Sequence, residues 1–116
     1  MLVNLENNPG NKTPDTVFRQ YCSEIECPAA MLNECQAGCL KHYLDSKKEI
    51  TVREVTGIKA ERTFYESAVL QALFPLNGKM LKFSLSEPGE IGSGYSTESL
   101  QTFDEIVSSV KFTKNK

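Results

Sequence analysis

Histidine is almost absent from this chain. His42 is the only one, and its isolation removes most metal-ligand sets and most nucleophile–histidine constellations. No apolar run approaches the length of a bilayer span. Basic residues are scattered, with only Lys111, Lys114 and Lys116 locally clustered, and the formal net charge is −2. That balance gives no footing for nucleic acid, whose binding rests on grouped Lys and Arg. Residues 1–6 have neither the basic n-region nor the apolar h-region of a signal peptide. Two readings follow: a cytoplasmic protein, or an excised or trimmed piece of an exported one. What is present is ordinary for a globular protein, with 40% hydrophobic and 24% charged residues. At 116 residues the chain is long enough for one core, so residues 1–116 are read as a single domain.

The strongest local signal lies in residues 69–85. Asn77 and Gly78 both tolerate positive φ, which a two-residue type I′ hairpin turn requires. Folding back about that turn sets Leu76 against Lys79, Phe74 against Leu81, Ala72 against Phe83 and Leu70 against Leu85, all on one face. The other face receives Pro75 with Met80, Leu73 with Lys82, and Gln71 with Ser84, a more mixed set.

Upstream, a five-residue loop over 53–57 would bring Val52 to Ile58 and Ile50 to Ala60. A turn at Glu66, Ser67 and Ala68 would bring Phe64 to Leu70, Arg62 to Ala72, Ala60 to Phe74 and Ile58 to Leu76. The three loops then agree on one inner face of a four-strand meander, with Arg62 as the misfit at its edge.

Around the meander, Val3 and Leu5 alternate with Asn4 and Glu6 as a short strand, followed by a polar turn over 7–12. Thr13, Pro14 and Asp15 read as N-cap, first helical residue and dipole-facing carboxylate. Val17, Phe18, Tyr21, Cys22 and Ile25 make a helical stripe. Pro28 ends that helix and opens another over 29–43, although Leu40, His42 and Leu44 can also alternate as a strand. Residues 45–49 read as a solvated connector, and 88–94 as a loop with three glycines. Ser96 or Thr97 caps a last helix whose Leu100, Phe103, Ile106, Val107 and Val110 share one side. That side needs the meander's inner face as its partner.

The best candidates for chemistry are Cys22, Cys27, Cys35 and Cys39, all within 18 residues. Four cysteines allow three connectivities and sequence cannot choose among them. A helical hairpin bent near Pro28 makes the nested pairs Cys22–Cys39 and Cys27–Cys35 geometrically reasonable, because both pairs share nearly the same midpoint. Zinc could take any four of Cys22, Cys27, Cys35, Cys39 and His42, but the C-x2-C knuckle is absent and the spacings are irregular. Inert buried thiols are the third reading, and a reactive Cys39–His42 pair lacks an orienting partner. Gly92, Ser93 and Gly94 before a helix can start an anion site, yet they lack the Gly-Lys-Ser/Thr core of a P-loop. Asn11-Lys12-Thr13 matches a glycosylation sequon. Glu87, Glu90, Asp104 and Glu105 show no acid–base pairing pattern, and Tyr65 and Tyr95 read as edge packing.

A family resemblance enters at the C-terminal helix. Phe103, Ile106, Val107, Ser109, Val110 and Phe112 resemble the F-x-x-I-L-x-S-F-x-F ending of PsbP-like domains, found in the extrinsic photosystem subunit and related bacterial lipoproteins. The strand and Asn-Pro turn over 3–9, the capped helix from Thr13, Ile50 with Val52, Gly57 with Ile58, and the Asn77–Gly78 hairpin run in the same order. The resemblance implies an antiparallel sheet with helices on both faces that serves binding or assembly without a shared active site. No functional residue carries over from it. The strand pair that usually precedes the Val3 segment is missing, and the cysteine segment is not a general family feature. A missing hairpin leaves an open sheet edge, which invites a second copy and hence a homodimer.

The expectation is therefore an α+β domain: an antiparallel meander, a C-terminal helix on one face and a cysteine-bearing helical segment elsewhere. Its expected role is non-enzymatic binding or assembly, with no cofactor, no nucleic acid, no membrane span and an unidentified protein or small-molecule partner. A small metal-binding protein using residues 22–39 is the first alternative, and an enzyme with a pocket near Gly92 and Gly94 is the second. Disulfides would point to an extracytoplasmic setting.

Overall fold

Thr13 caps the first helix as its sequence demands: its Oγ1 accepts the Thr16 amide at 3.2 Å, and Pro14 is the first helical residue. The computed structural model describes residues 2–63, 68–85 and 97–109. In chain order these form β1 (Leu2–Asn7), α1 (Pro14–Ser23), a single 3-10 turn (Ala29–Met31), α2 (Leu32–Ser46), β2 (Lys48–Val52), β3 (Val55–Thr63), β4 (Ala68–Leu76), β5 (Lys79–Leu85) and α3 (Thr97–Ser109). The strands make one antiparallel sheet in the order β1-β5-β4-β3-β2. The class is α+β, and the meander of β2 to β5 gains a fifth strand because β1 adds to β5. The sequence-expected turn at Glu66 and Ser67, the loop over 88–94, Ser96, Val110, Tyr65, Tyr95, Phe112 and the terminal lysines lie outside the described residues.

The β4–β5 hairpin has the expected register, with Leu76 against Lys79, Phe74 against Leu81, Ala72 against Phe83 and Leu70 against Leu85. Gly78 sits at φ +72° in the turn. Two other registers differ from expectation. The β2–β3 turn is the two-residue pair Arg53–Glu54, both at positive φ (48° and 73°), so Val52 meets Val55 and Ile50 meets Gly57. Nothing in those two side chain types announces a left-handed backbone. Gly57, taken as a loop residue in the sequence, is instead a strand residue. A Cβ there would overlap the Leu73 carbonyl oxygen and press on the Phe74 ring, so only glycine permits this approach of β3 to β4.

The β3–β4 register is also shifted, with Ile58 against Leu73, Ala60 against Gln71 and Arg62 against Val69. Ala60 was expected against Phe74, three places along. An odd shift turns each side chain to the opposite face. Ile58 and Ala60 therefore leave the α3 side and join Leu73, Met80, Phe18 and Tyr43 in the core beneath α1 and α2. Arg62 ceases to be a misfit, because it lies on the face that carries α1 and α2, with its guanidinium 3.8 Å from the Tyr21 ring centroid.

The second core joins Leu70, Ala72, Phe74 and Phe83 to Phe103 and Val107 of α3, with Ile50, Val52, Val55, Leu81 and Leu85 around it. Among the described residues of the expected α3 stripe, Phe103 and Val107 are buried, whereas Leu100 and Ile106 stay exposed at the margins. Lys59 reaches α3 from the sheet and pairs with Asp104 at 2.9 Å. Residues 40–44 are helical, not a strand, since Cys39 and Tyr43 bury one turn apart on the same side of α2. The solvated connector shrinks to Lys47, because α2 runs to Ser46 and β2 starts at Lys48.

Gly57→Ala is expected to destabilise the domain by about 1–3 kcal/mol through overpacking against a strand backbone. A urea titration should show a lower midpoint with an unchanged slope.

Candidate functional site

Two features of the described residues are candidates: the clamped helical layer and the β1 margin of the sheet. In the helical layer α1 and α2 run antiparallel, as three ties in opposite chain order show. Cys22 bonds Cys39, Phe18 stacks on Tyr43 with ring centroids 4.9 Å apart, and Asp15 meets Tyr43 and Lys47 at the far end. The second disulfide, Cys27–Cys35, closes the connection around Pro28 and the 3-10 turn. The pairs are nested, with Cα separations of 5.4 and 6.5 Å within the ordinary range. Cys22 and Cys39 are buried, while Cys27 and Cys35 lie nearer solvent.

With every cysteine in a disulfide, no thiolate remains for a metal or a nucleophilic reaction. His42 does not share the cysteine face. It pairs with Glu61 of β3 at 3.0 Å, and Ser46 Oγ accepts the Glu61 amide, so the end of α2 covers β3 where β2 stops. Among the described residues no group of three or more His, Cys, Asp or Glu could hold a metal ion. Asp104 and Glu105 engage Lys59 and Gln101 rather than each other. The sequon residue Asn11 is committed to structure, its Oδ1 accepting the Gly78 amide at 2.8 Å. Gly92, Ser93, Gly94, Glu87 and Glu90 lie outside the described residues. No helix among the described residues is long and apolar enough to cross a membrane.

The sequence did not single out Asp15 and Tyr43 as a pair, although the Asp15–Arg19 spacing of one turn was visible. The Tyr43 hydroxyl donates to Asp15 Oδ1 at 2.6 Å, and Arg19 donates to Oδ2 at 2.9 Å. The Tyr43 bond, ahead of Arg19 and Lys47, holds the Asp15 carboxyl below its ordinary value of 3.8 against the opposing effect of burial. Burial first, then the Asp15 bond, pushes the Tyr43 hydroxyl above its usual range. The network is a structural lock between helix ends.

A second cluster missed from sequence lines the helix-bearing face beside β1. Lys82 contacts Glu6 at 3.0 Å and the Tyr21 hydroxyl at 3.4 Å, and Arg62 lies over the Tyr21 ring. Nearby Gln71 is buried with its Nε2 donating to Ser84 Oγ at 3.1 Å. Its Oε1 is the one buried side-chain polar atom without a partner among the described residues.

The margin itself is β1. It pairs on one side with β5, and among the described residues no strand lies beyond it. The Asn8 amide donates to the Gly78 carbonyl at 2.9 Å, which marks the hydrogen-bonded positions of this antiparallel ladder. Alternation then commits Glu6, Asn4 and Leu2 to β5 and turns the amides and carbonyls of Val3, Leu5 and Asn7 outward. Leu2, Val3 and Leu5 are 58%, 50% and 59% exposed, a density of apolar surface found on no other strand described.

The opposite edge, β2, carries Lys48 and Glu49, and α2 covers β3 beyond its end. β1 has no lysine, proline or bulge to discourage pairing. Its single charge, Glu6, is already matched by Lys82.

Native protein should show no free thiol, and four should appear after unfolding in reductant. Four free thiols in the native, unreduced protein would remove both disulfides. For the helix lock, Tyr43→Phe is expected to cost about 1 kcal/mol at neutral pH. A carboxyl with a lowered folded pKa stabilises above its ordinary value of 3.8, and that contribution is lost as pH falls through the lower folded value. The gap between wild type and Tyr43→Phe in urea titrations should therefore close in acid. A gap constant down to pH 2 would contradict the lock. Compared with known proteins, this chain matches no family model, no curated protein and no solved structure.

Proposed function

We propose that this domain is a non-enzymatic binding or assembly module that takes up an extended protein segment along β1. One observation carries the reading: the outward amides and carbonyls of Val3, Leu5 and Asn7 on an unguarded, apolar edge. Strand addition needs those features, since main-chain hydrogen bonds supply affinity and alternate side chains supply selectivity. A homodimer is the simplest assembly such an edge makes.

The PsbP-like resemblance of the sequence points to the same class of role, a domain that binds or assembles without an active site of its own. The clamped layer of α1 and α2 supports the reading from the other side of the molecule. Two of its ionisable pairs are ties within the chain, Asp15 with Tyr43 and His42 with Glu61. Two disulfides suit an oxidising compartment.

Hydrogen exchange on dilute protein tests the edge directly. The amides of Val3, Leu5 and Asn7 should exchange far faster than those of Asn4 and Glu6, which are bonded to β5. Equal protection at both sets would mean that the edge is already covered, and the reading would fail.

A further inference from the structure

The edge is self-complementary in one particular register, and from this we infer a two-fold β1–β1 pairing of two copies centred on Asn4. The inference rests on the open-edge reading above and adds the partner and its alignment.

Only Val3, Leu5 and Asn7 turn their backbone groups outward, so a second antiparallel β1 must match outward residues with outward residues. Two symmetric alignments satisfy this with five residues of each described strand overlapped. In one, the two-fold passes through Asn4, and Val3 faces Leu5 of the partner subunit twice over. In the other it passes through Leu5, and Val3 faces Asn7 of the partner subunit.

The first alignment sets apolar against apolar. Val3 and Leu5 lie on the α3 side of the sheet beside Phe83 and Leu81. Their symmetric repeat makes a four-residue apolar cluster continuous with the core margin. On the opposite side Glu6 falls beside Leu2 of the partner subunit rather than beside a like charge, and Glu6 keeps its own Lys82. Asn4 meets Asn4 of the partner subunit as a non-hydrogen-bonded pair, where side chains approach most closely.

The second alignment sets Leu5 against Leu5 of the partner subunit on the axis but leaves Val3 opposite an amide twice over, so it has one apolar pair where the first has two. Cross-strand pair energetics therefore favour the first. Charge does not oppose it, since the one acid on β1 is neutralised within its own chain. The result is a sheet running without a break through both copies.

The geometry fits a cysteine probe. Residues at a non-hydrogen-bonded antiparallel pair have Cα atoms about 4.5 Å apart, within disulfide reach. Asn4→Cys should give a covalent dimer on mild oxidation, read on a non-reducing gel, whereas Leu5→Cys should not. Unmodified protein at high micromolar concentration should sediment as a dimer. Val3→Lys should weaken that association about tenfold, because the axis repeats the change on both sides.

Cross-linking through Leu5→Cys in place of Asn4→Cys would overturn the alignment while leaving the open edge intact. Sedimentation as a monomer at high micromolar concentration, with Val3, Leu5 and Asn7 still exchanging fast, would overturn the second copy as partner. In that event another extended segment remains the occupant. Slow exchange at those three amides in dilute monomer would instead remove the edge reading itself.

Discussion

The fold depends on β4 being buried on both faces at once. Ala72, Leu73 and Phe74 are consecutive and fully buried, so alternate side chains enter two separate cores. Phe74 and Ala72 meet Phe83 and the Phe103–Val107 side of α3. Leu73 meets Phe18, Tyr43 and Met80 under the clamped helices. Each fully buried large side chain contributes roughly 1.5–3 kcal/mol by removal from water, and the central strand collects such contributions on both sides. Everything else is placed relative to that strand. β5 is pinned to it by the Asn77–Gly78 turn, and β3 by the contact that only Gly57 allows.

From β4 outward the two margins of the sheet diverge. On one side α2 bends over β3 and hands the chain to β2 through Lys47, so helix and edge protect each other. On the other side β5 receives β1, whose far side meets no further strand among the described residues. The helical layer is held by nested disulfides, an aromatic stack and the Asp15–Tyr43 bond, ties that lie away from β1. Among the described residues, the cross-linked layer and the strand that lacks an outer neighbour thus sit at opposite margins of one sheet. A preorganised edge loses little conformational freedom when it pairs.

Local chemistry made much of this legible before any tertiary contact was known. Thr13 and Pro14 announce a helix start because the cap bond and the proline φ are properties of neighbouring residues. Asn77 and Gly78 announce a hairpin and its register for the same reason. The cysteine spacing favoured the nested pairs through their common midpoint, without choosing among three connectivities. His42 stands apart from the cysteines because Cys39 and Tyr43, four apart, share the buried face of α2, whereas His42 turns toward Glu61.

Sequence by itself determined the class, the β4–β5 register, the first helix and the presence of a short strand at Val3 and Leu5. Each rests on interactions between residues near in the chain or on strict two-residue alternation. Tertiary structure alone decided the β3–β4 register, the two-residue Arg53–Glu54 turn and the face on which Ile58, Ala60 and Arg62 lie. Those outcomes turn on one glycine meeting a carbonyl from another strand, a contact with no local signature. It also decided that β1 joins β5 and not β2, and so which backbone groups face outward. Pairing of distant strands is settled by total burial across both cores, which no single stretch of the chain encodes.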